Sequence, residues 1–196
     1  MRREDNYLEY YSGDGEIIAE DAMWAPLVLI RVYPNRPVPP QEREGDEECA
    51  NRDRIPVGYV FVRDPKFGEN AFWKMPSGHR KNRDKRNDIT PLDTAIAEVE
   101  EETGIKIPAE SFQYISKWWD PARNDHWKCL FIASITEADR DFINDHTDGN
   151  EGEKPRFFTI NEFRELRRDH KFKLDHQQFL EERDLILPLG IFAPSV

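Results

Sequence analysis

The chain has 196 residues, and its 28 lysines and arginines against 39 aspartates and glutamates give a net charge of −11. This acidic balance argues against a long nucleic acid or an anionic membrane as a partner, because polyanions repel an acidic surface. Aromatic residues make up 12% of the chain, which is too many for a disordered protein. The length favours one folded domain over residues 1–196.

The cysteine content and the termini bear on the cellular compartment. Cys49 and Cys129 are too few for a disulfide framework or a cysteine-based metal site, and they are typical of reduced thiols. The N-terminus lacks the apolar stretch of a signal peptide, and no apolar run is long enough for a transmembrane helix. We therefore expect a cytoplasmic protein without membrane contact.

The predicted elements alternate irregularly, which is typical of a mixed sheet with helices on its faces. Runs of β-branched and aromatic residues predict strands at 26–33, 57–63, 71–75, 112–118, 127–135 and 156–160. Helices are predicted from Pro91 to Thr103, from a cap at Asn161 or its neighbour to about Arg168, and over about 174–185. A proline-rich stretch at about 34–55 predicts a mobile loop, and residues 137–153 predict an acidic loop.

The helix from Pro91 to Thr103 has the clearest signals of the chain. Thr90 can cap it, with Asp93 returning a hydrogen bond as in a capping box, and proline suits its first position. Gly104 can end it in the left-handed conformation. The apolar residues at helical spacing form one face: Leu92, Ala95, Ile96 and Val99.

Three glutamates, Glu98, Glu101 and Glu102, share another face of this helix. Like charges at this spacing destabilise a helix by about 0.2–0.5 kcal/mol per pair. The three glutamates also lie near the C-terminal, negative end of the helix dipole, where acidic side chains are unfavourable. The spacing leaves two explanations open. One is a solvated acidic face; the other is a site for Mg²⁺ or Mn²⁺, which prefer clustered carboxylate oxygens.

The surroundings of this helix resemble the Nudix hydrolase family, whose box reads G-x5-E-x7-R-E-U-x-E-E-x-G-U, with U a bulky apolar residue. Residues 98–105 match its second half at every specified position. Pro76-Ser77-Gly78 resembles the end of the family's strand and the first box glycine, and residues 156–163 resemble its last strand and helix entry. The resemblance covers about residues 26–190 and implies a Nudix-like α/β/α sandwich with a mixed β-sheet.

Departures from the box concern its first half. From Gly78 to Gly104 there are 26 positions, five more than in the family pattern. Ala97 stands in place of the box arginine and Ile89 in place of the upstream glutamate. In the family these two positions commonly form a structural ion pair, and here both of its members are apolar. Replacing both members of an ion pair with apolar residues can leave the stability of the protein unchanged.

The resemblance implies Mg²⁺- or Mn²⁺-dependent hydrolysis of a pyrophosphate bond in a nucleoside diphosphate linked to another group. The implied metal ligands are the side chains of Glu98, Glu101 and Glu102 and the backbone carbonyl of Ser77 or Gly78. The same glutamates are the implied catalytic residues, with Glu101 either a ligand or the group that positions the attacking water.

Two further groups of charged residues are candidates for the site. Many family members add a glutamate from the loop before the last strand, and Glu151 and Glu153 are candidates, although a solvated loop explains either equally well. Residues 79–86 carry a net charge of +4, which leaves −15 for the rest. Arg80 and Arg83 can contact substrate phosphates through bidentate hydrogen bonds, or this segment is an exposed loop paired with the acidic surface.

Aromatic residues are candidates for stacking on a nucleobase, although a strand tryptophan more often packs in the core. The candidates are Trp118, Trp119, Trp127, Tyr59 and Trp73. The histidines are unclustered, and His170 and His176 have no metal-binding spacing, so neither is assigned a role.

Two other functions stay open beside the hydrolase. One is a catalytically weak or inactive Nudix-fold module that binds or senses a nucleotide, which the altered box allows. The other is an enzyme acting on RNA ends, which the acidic charge outside residues 79–86 opposes. Three repelling carboxylates favour a small-molecule hydrolase over the binding module, which has less need of them. Family members are often homodimers, and the sequence leaves the oligomeric state of this chain open.

Overall fold

The computed structural model describes residues 7–9, 17–19, 23–35, 56–63, 68, 71–79, 90–120, 126–140 and 154–186. Several sequence predictions lie outside these residues: most of the loop at 34–55, the basic segment after His79, Cys49, Ile89, Arg80, Arg83, Glu151 and Glu153.

A mixed five-stranded sheet forms the centre of the molecule. Its strands are β3 (Met23–Tyr33), β4 (Gly58–Arg63), β5 (Phe112–Asp120), β6 (His126–Thr136) and β7 (Lys154–Thr159). Their order is β5-β6-β3-β4-β7, with β3 and β6 parallel and the other neighbours antiparallel. Two short strands that the sequence analysis did not predict, β1 (Tyr7–Glu9) and β2 (Ile17–Ala19), pair separately.

Helices cover both faces of the sheet: α1 (Pro91–Thr103), α2 (Ile160–Arg168) and α3 (Leu174–Glu181), with a 3₁₀ turn at Ala109–Ser111. Val28 and Ile30 of β3 pack with Val99 of α1 in one core cluster. Leu27 and Leu29 pack in a second cluster with residues of α2 and α3. Residues 24–30 of β3 are all apolar and buried, because both faces of this stretch are covered. The predicted α/β/α sandwich with a mixed sheet is confirmed.

None of the helices in the described part of the chain is long and apolar enough to cross a bilayer. Cys129 is buried in β6.

The predicted strand at 71–75 is wrong. Residues 73–78, which we call the bridging segment, make only isolated pairs with three different partners. Trp73 pairs with Phe172, Lys74 pairs with Val62 of β4, and Ser77 pairs with Leu27 of β3. A strand needs one partner along its length, and here the partner changes within a few residues while Pro76 has no N–H to donate.

Three predicted boundaries near the ends of elements also need correction. Helix α2 is capped by Thr159 and not at Asn161, because Thr159 Oγ1 accepts from the Glu162 N–H at 3.2 Å. Helix α3 ends at Glu181 and not at 185, since Asp184 has a left-handed backbone (φ 54°). The predicted acidic loop at 137–153 begins with a helical turn over residues 137–140.

Both ends of α1 follow the predicted capping chemistry. Thr90 Oγ1 accepts from the Asp93 N–H at 3.1 Å, and Asp93 Oδ2 accepts from the Thr90 N–H at 2.8 Å. Gly104 ends the helix with φ 73°. In the middle, the Trp24 Nε1–H of β3 donates to Thr94 Oγ1 at 2.8 Å in the buried interface. These bonds fix the position of α1 on the sheet.

Replacing Thr90 with alanine should lower the free energy of unfolding by about 1 kcal/mol, because the capping hydrogen bond to Asp93 is lost. Urea denaturation followed by circular dichroism measures the change. Thr90→Ser keeps the hydroxyl and should stay within about 0.5 kcal/mol of the wild type. An equal loss in both variants would show that the cap does not contribute.

Candidate active site

The bridging segment holds its place through backbone hydrogen bonds to three parts of the fold. The Val28 N–H of β3 donates to Pro76 O at 3.0 Å, and Lys74 exchanges two 3.0 Å bonds with Val62 of β4. Trp73 bonds to the backbone of Lys171 and Lys173, just before α3, at 2.9 and 2.8 Å. Ser77 and Gly78 at its end are thereby positioned against α1.

Two of the three predicted glutamates face the protein interior. Glu98 and Glu102 are each 4% exposed, so the solvated acidic face is excluded for them. Glu102 Oε2 accepts from the Ser77 N–H at 2.8 Å, and Glu102 Oε1 accepts from Lys74 Nζ at 2.7 Å. Glu101 is partly exposed on the same helix. The structure therefore brings Glu98 and Glu102 together with the bridging segment.

Gly78 touches the carboxylate of Glu98 so closely that no larger residue fits. A β-carbon added to Gly78 would lie 2.5 Å from Glu98 Oε1 and closer still to Oε2. Real β-carbons do not approach other atoms to such distances, so a side chain here would displace either the carboxylate or the backbone. The box glycine is needed for this close approach of backbone and carboxylate.

The residues of this site fit a divalent cation. The donor atoms near one another are carboxylate and carbonyl oxygens, which Mg²⁺ and Mn²⁺ prefer. The ammonium of Lys74 lies between Glu102 Oε1 and the carbonyl oxygen of Ser77, from which it is 3.4 Å away. A positive group is thus already held by two of the predicted ligands. Within the described ranges no three His, Cys, Asp or Glu side chains form a metal-binding group, and the predicted ligand set also includes the backbone carbonyl of Ser77 or Gly78.

The other sequence-based candidates are placed as follows. Ala97, at the box arginine position, is half-buried on α1. Tyr59 and Trp73 pack edge-on against Phe163 and Phe158, so these two aromatic rings serve the core. Trp118 packs on Phe179, while Trp119 and Trp127 contact each other and Trp119 is exposed.

Sequence reasoning missed two residues, Lys74 within the bridging segment and His176 beside it. Lys74 contacts Glu102, and His176 of α3 accepts the buried Met75 N–H on Nδ1 at 3.1 Å. The sequence analysis assigned His176 no role, and the structure shows this buried contact with the bridging segment. Burial, followed by the charges of Lys173, Lys74 and Lys128, holds the pKa of His176 well below its usual range. Neither residue has a local sequence signal.

Comparisons with known proteins match this chain to Nudix proteins. The family model of the NUDIX domain matches residues 42–182. A mutT/nudix family protein from Listeria innocua is 14% identical with a TM-score of 0.50, over 84% of this chain and 92% of that one. A MutT/nudix family protein from Enterococcus faecalis is also 14% identical, with a TM-score of 0.45, over 72% of this chain and 45% of that one. The search of curated proteins found no match.

Proposed function

The chain belongs to the Nudix hydrolase family, and from this premise we propose that it hydrolyses a pyrophosphate bond in a nucleoside diphosphate linked to another group, using Mg²⁺ or Mn²⁺. One observation carries the proposal. Ser77 and Gly78 meet the carboxylates of Glu102 and Glu98 even though the box is five residues longer than the family pattern. The two halves of the box therefore meet despite the insertion between them.

Glu98, Glu102 and the Ser77 carbonyl are the proposed metal ligands, with Glu101 as a further ligand or the group that orients water. A bound cation would offset charge on the phosphoryl oxygens of the substrate. The Ser77 N–H fixes the orientation of Glu102, and Gly78 leaves room for Glu98. Being half-buried, Glu101 can reach solvent and hold a proton of the attacking water.

Residues outside the described part of the chain complete this proposal. Glu151 and Glu153 stay candidates for a general base or a further ligand. Arg80 and Arg83 follow Gly78 directly in the sequence, and guanidinium groups bind phosphates in bidentate geometry. A small-molecule nucleotide substrate, and a homodimer as in other family members, stay predictions.

A second candidate function is a nucleotide-binding module with little or no turnover. The observation that favours it is the ion pair between Lys74 and Glu102, which balances the Glu102 carboxylate without a metal. Ala97 also departs from the box. The three glutamates favour the hydrolase, because a binding module has no need of acidic residues at a repulsive spacing.

A panel of nucleoside diphosphate derivatives with Mg²⁺ or Mn²⁺, run beside Glu101→Gln, separates the two functions. We expect the wild type to release a nucleotide product and Glu101→Gln to lose at least about 100-fold in kcat, in line with a general acid or base. The matched control is Glu100→Gln, because Glu100 lies on the same helix as Glu101 and pairs with the exposed Lys106 beyond the end of that helix.

The outcomes of this panel are distinct. Glu100→Gln should retain wild-type kcat. Binding of a nucleotide by the wild type without cleavage would favour the binding module. Equal activity in the wild type and Glu101→Gln would contradict the role of Glu101 alone.

A further inference from the structure

A cavity of about 230 Å³ lies beside α2, on the face of the sheet opposite α1. Its apolar wall comes from the entry to β4, from α2 and from the residues after α3: Pro56, Ile160, Phe163, Leu185 and Ile186. Helix α1 packs on the other face through Ala95 and Val99, so this cavity is separate from the candidate active site. An apolar wall favours a ligand with an apolar body.

Polar groups enter the same wall from α2 and β4. Arg164 and Arg167 of α2 contribute guanidinium groups, and Tyr59 of β4 contributes its hydroxyl. Arg167 is held in an ion pair with Glu181 of α3. Arg164 forms no ion pair with any of the described residues. Arg164 is therefore the guanidinium in the wall with which an anionic ligand can pair.

Arg31 of β3 brings a third guanidinium next to Tyr59. The two residues lie directly opposite each other in the antiparallel pairing of β3 and β4, so their side chains share one face of the sheet. Arg31 Nε is buried and has no hydrogen-bond partner among the described residues. A buried donor without an acceptor destabilises a folded protein. A ligand that supplies an acceptor here would remove this cost.

The Tyr59 hydroxyl remains a hydrogen-bond donor in these surroundings. Burial raises its pKa above the usual range, against the opposing charges of Arg31, Arg164 and Arg167. The hydroxyl is therefore protonated at neutral pH and can donate to an anion, as the guanidinium groups can.

The charges around the cavity leave room for one negative charge. Three arginines are balanced by two carboxylates, those of Glu181 and of the exposed Asp184, so one positive charge remains. A carboxylate carries a single negative charge, whereas a phosphate group carries about 1.5 to 2 at neutral pH. The charge balance therefore favours a carboxylate over a phosphate.

The cavity volume limits the size of the ligand. A water molecule in the liquid takes about 30 Å³, so the cavity has room for a group of several heavy atoms. Pockets for whole drug-sized ligands are larger, about 300–1,000 Å³. The cavity therefore suits a small acid and not an entire nucleotide.

We propose that the cavity between Tyr59 and Arg164, with Arg31 beside it, binds a small carboxylic acid with an apolar body. The carboxylate accepts from the guanidinium groups and from the hydroxyl, and the apolar body packs against Phe163 and its neighbours. The site needs no metal and no pyrophosphate bond, so it stands or falls separately from the proposed hydrolysis.

The test is calorimetric titration of the full chain with benzoate, which has a compact apolar ring and one carboxylate. Benzamide has the same shape without the charge, and acetate has the charge without the ring. We expect benzoate to bind saturably and each comparison ligand to bind at least about tenfold more weakly, because the charged pair and the apolar contact both contribute.

Arg164→Gln and Arg31→Gln should each weaken benzoate binding by about tenfold, as for the loss of one charge-assisted hydrogen bond. The matched control is Arg168→Gln, which removes the same charge from α2 at an exposed position outside the cavity wall. Thermal melting verifies that each variant is folded. It also gives a second readout, because benzoate should raise the Tm of the wild type more than that of Arg164→Gln.

Several outcomes would overturn the proposal. The first is that the wild type does not bind benzoate saturably. The second is that benzamide, acetate or inorganic phosphate binds as tightly as benzoate, which would remove the need for a carboxylate on an apolar body. The third is that Arg168→Gln weakens binding as much as Arg164→Gln. The comparison of ligands uses the wild type alone, so it holds even if Arg31→Gln does not fold.

Discussion

Gly78→Ala should lower kcat/KM for the cleaved nucleotide by at least about 100-fold. The added methyl group would overlap the Glu98 carboxylate, so Glu98 must turn away or the bridging segment must shift. A displacement of about 1 Å in a catalytic group can cost about 100-fold in rate. The overlapping atoms all lie at the end of the Glu98 side chain, so the free energy of unfolding should fall by only about 1 kcal/mol, at the low end for overpacked sites. Steady-state kinetics and urea denaturation measure the two effects.

Gly68→Ala is the control for this substitution. Gly68 has φ 66°, so alanine is strained there by about 1 kcal/mol, but no atom lies within 4 Å of the added carbon. We expect Gly68→Ala to be less stable than the wild type and as active. Wild-type kinetics in Gly78→Ala, or an equal loss of activity in Gly68→Ala, would contradict the requirement for close approach at Gly78.

Lys74→Met should bind Mg²⁺ at least about tenfold more tightly than the wild type. The Lys74 ammonium donates hydrogen bonds to Glu102 Oε1 and to the Ser77 carbonyl oxygen, and both oxygens are proposed metal ligands. A metal ion must therefore displace the ammonium group. A unit charge about 4 Å away contributes about 4 kcal/mol at an effective dielectric constant of 20, well above the 1.4 kcal/mol of a tenfold change. Isothermal titration with Mg²⁺ measures the affinity.

The same variant should be less stable in EDTA, because Glu102 stays buried without its cationic partner. Its side chain is 6% exposed and that of Lys74 is 20% exposed, and breaking such a pair costs about 3 kcal/mol. Mg²⁺ should restore part of this loss by binding the folded state.

The control is Lys106→Met, which breaks the ion pair between Lys106 and Glu100, whose side chains are 83% and 42% exposed. It should change stability by less than about 0.5 kcal/mol. Wild-type or weaker Mg²⁺ affinity in Lys74→Met would contradict the competition.

The central strands and α1 could be predicted from the sequence because their signals are local. Residues 26–33 are apolar on both faces apart from Arg31, as expected of a strand covered by helices on both sides. Thr90, Asp93 and Gly104 mark the ends of α1 through hydrogen bonds and backbone conformations that involve only neighbouring residues. The position of Gly78 near the glutamates followed from the family resemblance and not from spacing.

The surroundings of the glutamates could not be predicted, because their contacts join distant parts of the chain. Spacing along α1 left the face of Glu98 and Glu102 undecided, since the partner that balances Glu102 is Lys74, 28 positions away. His176 lies 101 positions from Met75, and a single histidine on a helix does not indicate that contact. The failed strand at 71–75 has the same origin: its residues have strand propensity, but their hydrogen bonds go to three separate partners.

The bridging segment ties the proposed ligands to the central sheet and to the residues before α3. Its backbone bonds reach β3, β4 and the residues before α3, so it cannot detach while those elements keep their partners. Segments that open independently in a native protein have few such bonds. Ser77 and Gly78 should therefore belong to the same cooperative unfolding unit as the sheet, and the geometry around Glu98 and Glu102 persists for as long as the domain stays folded.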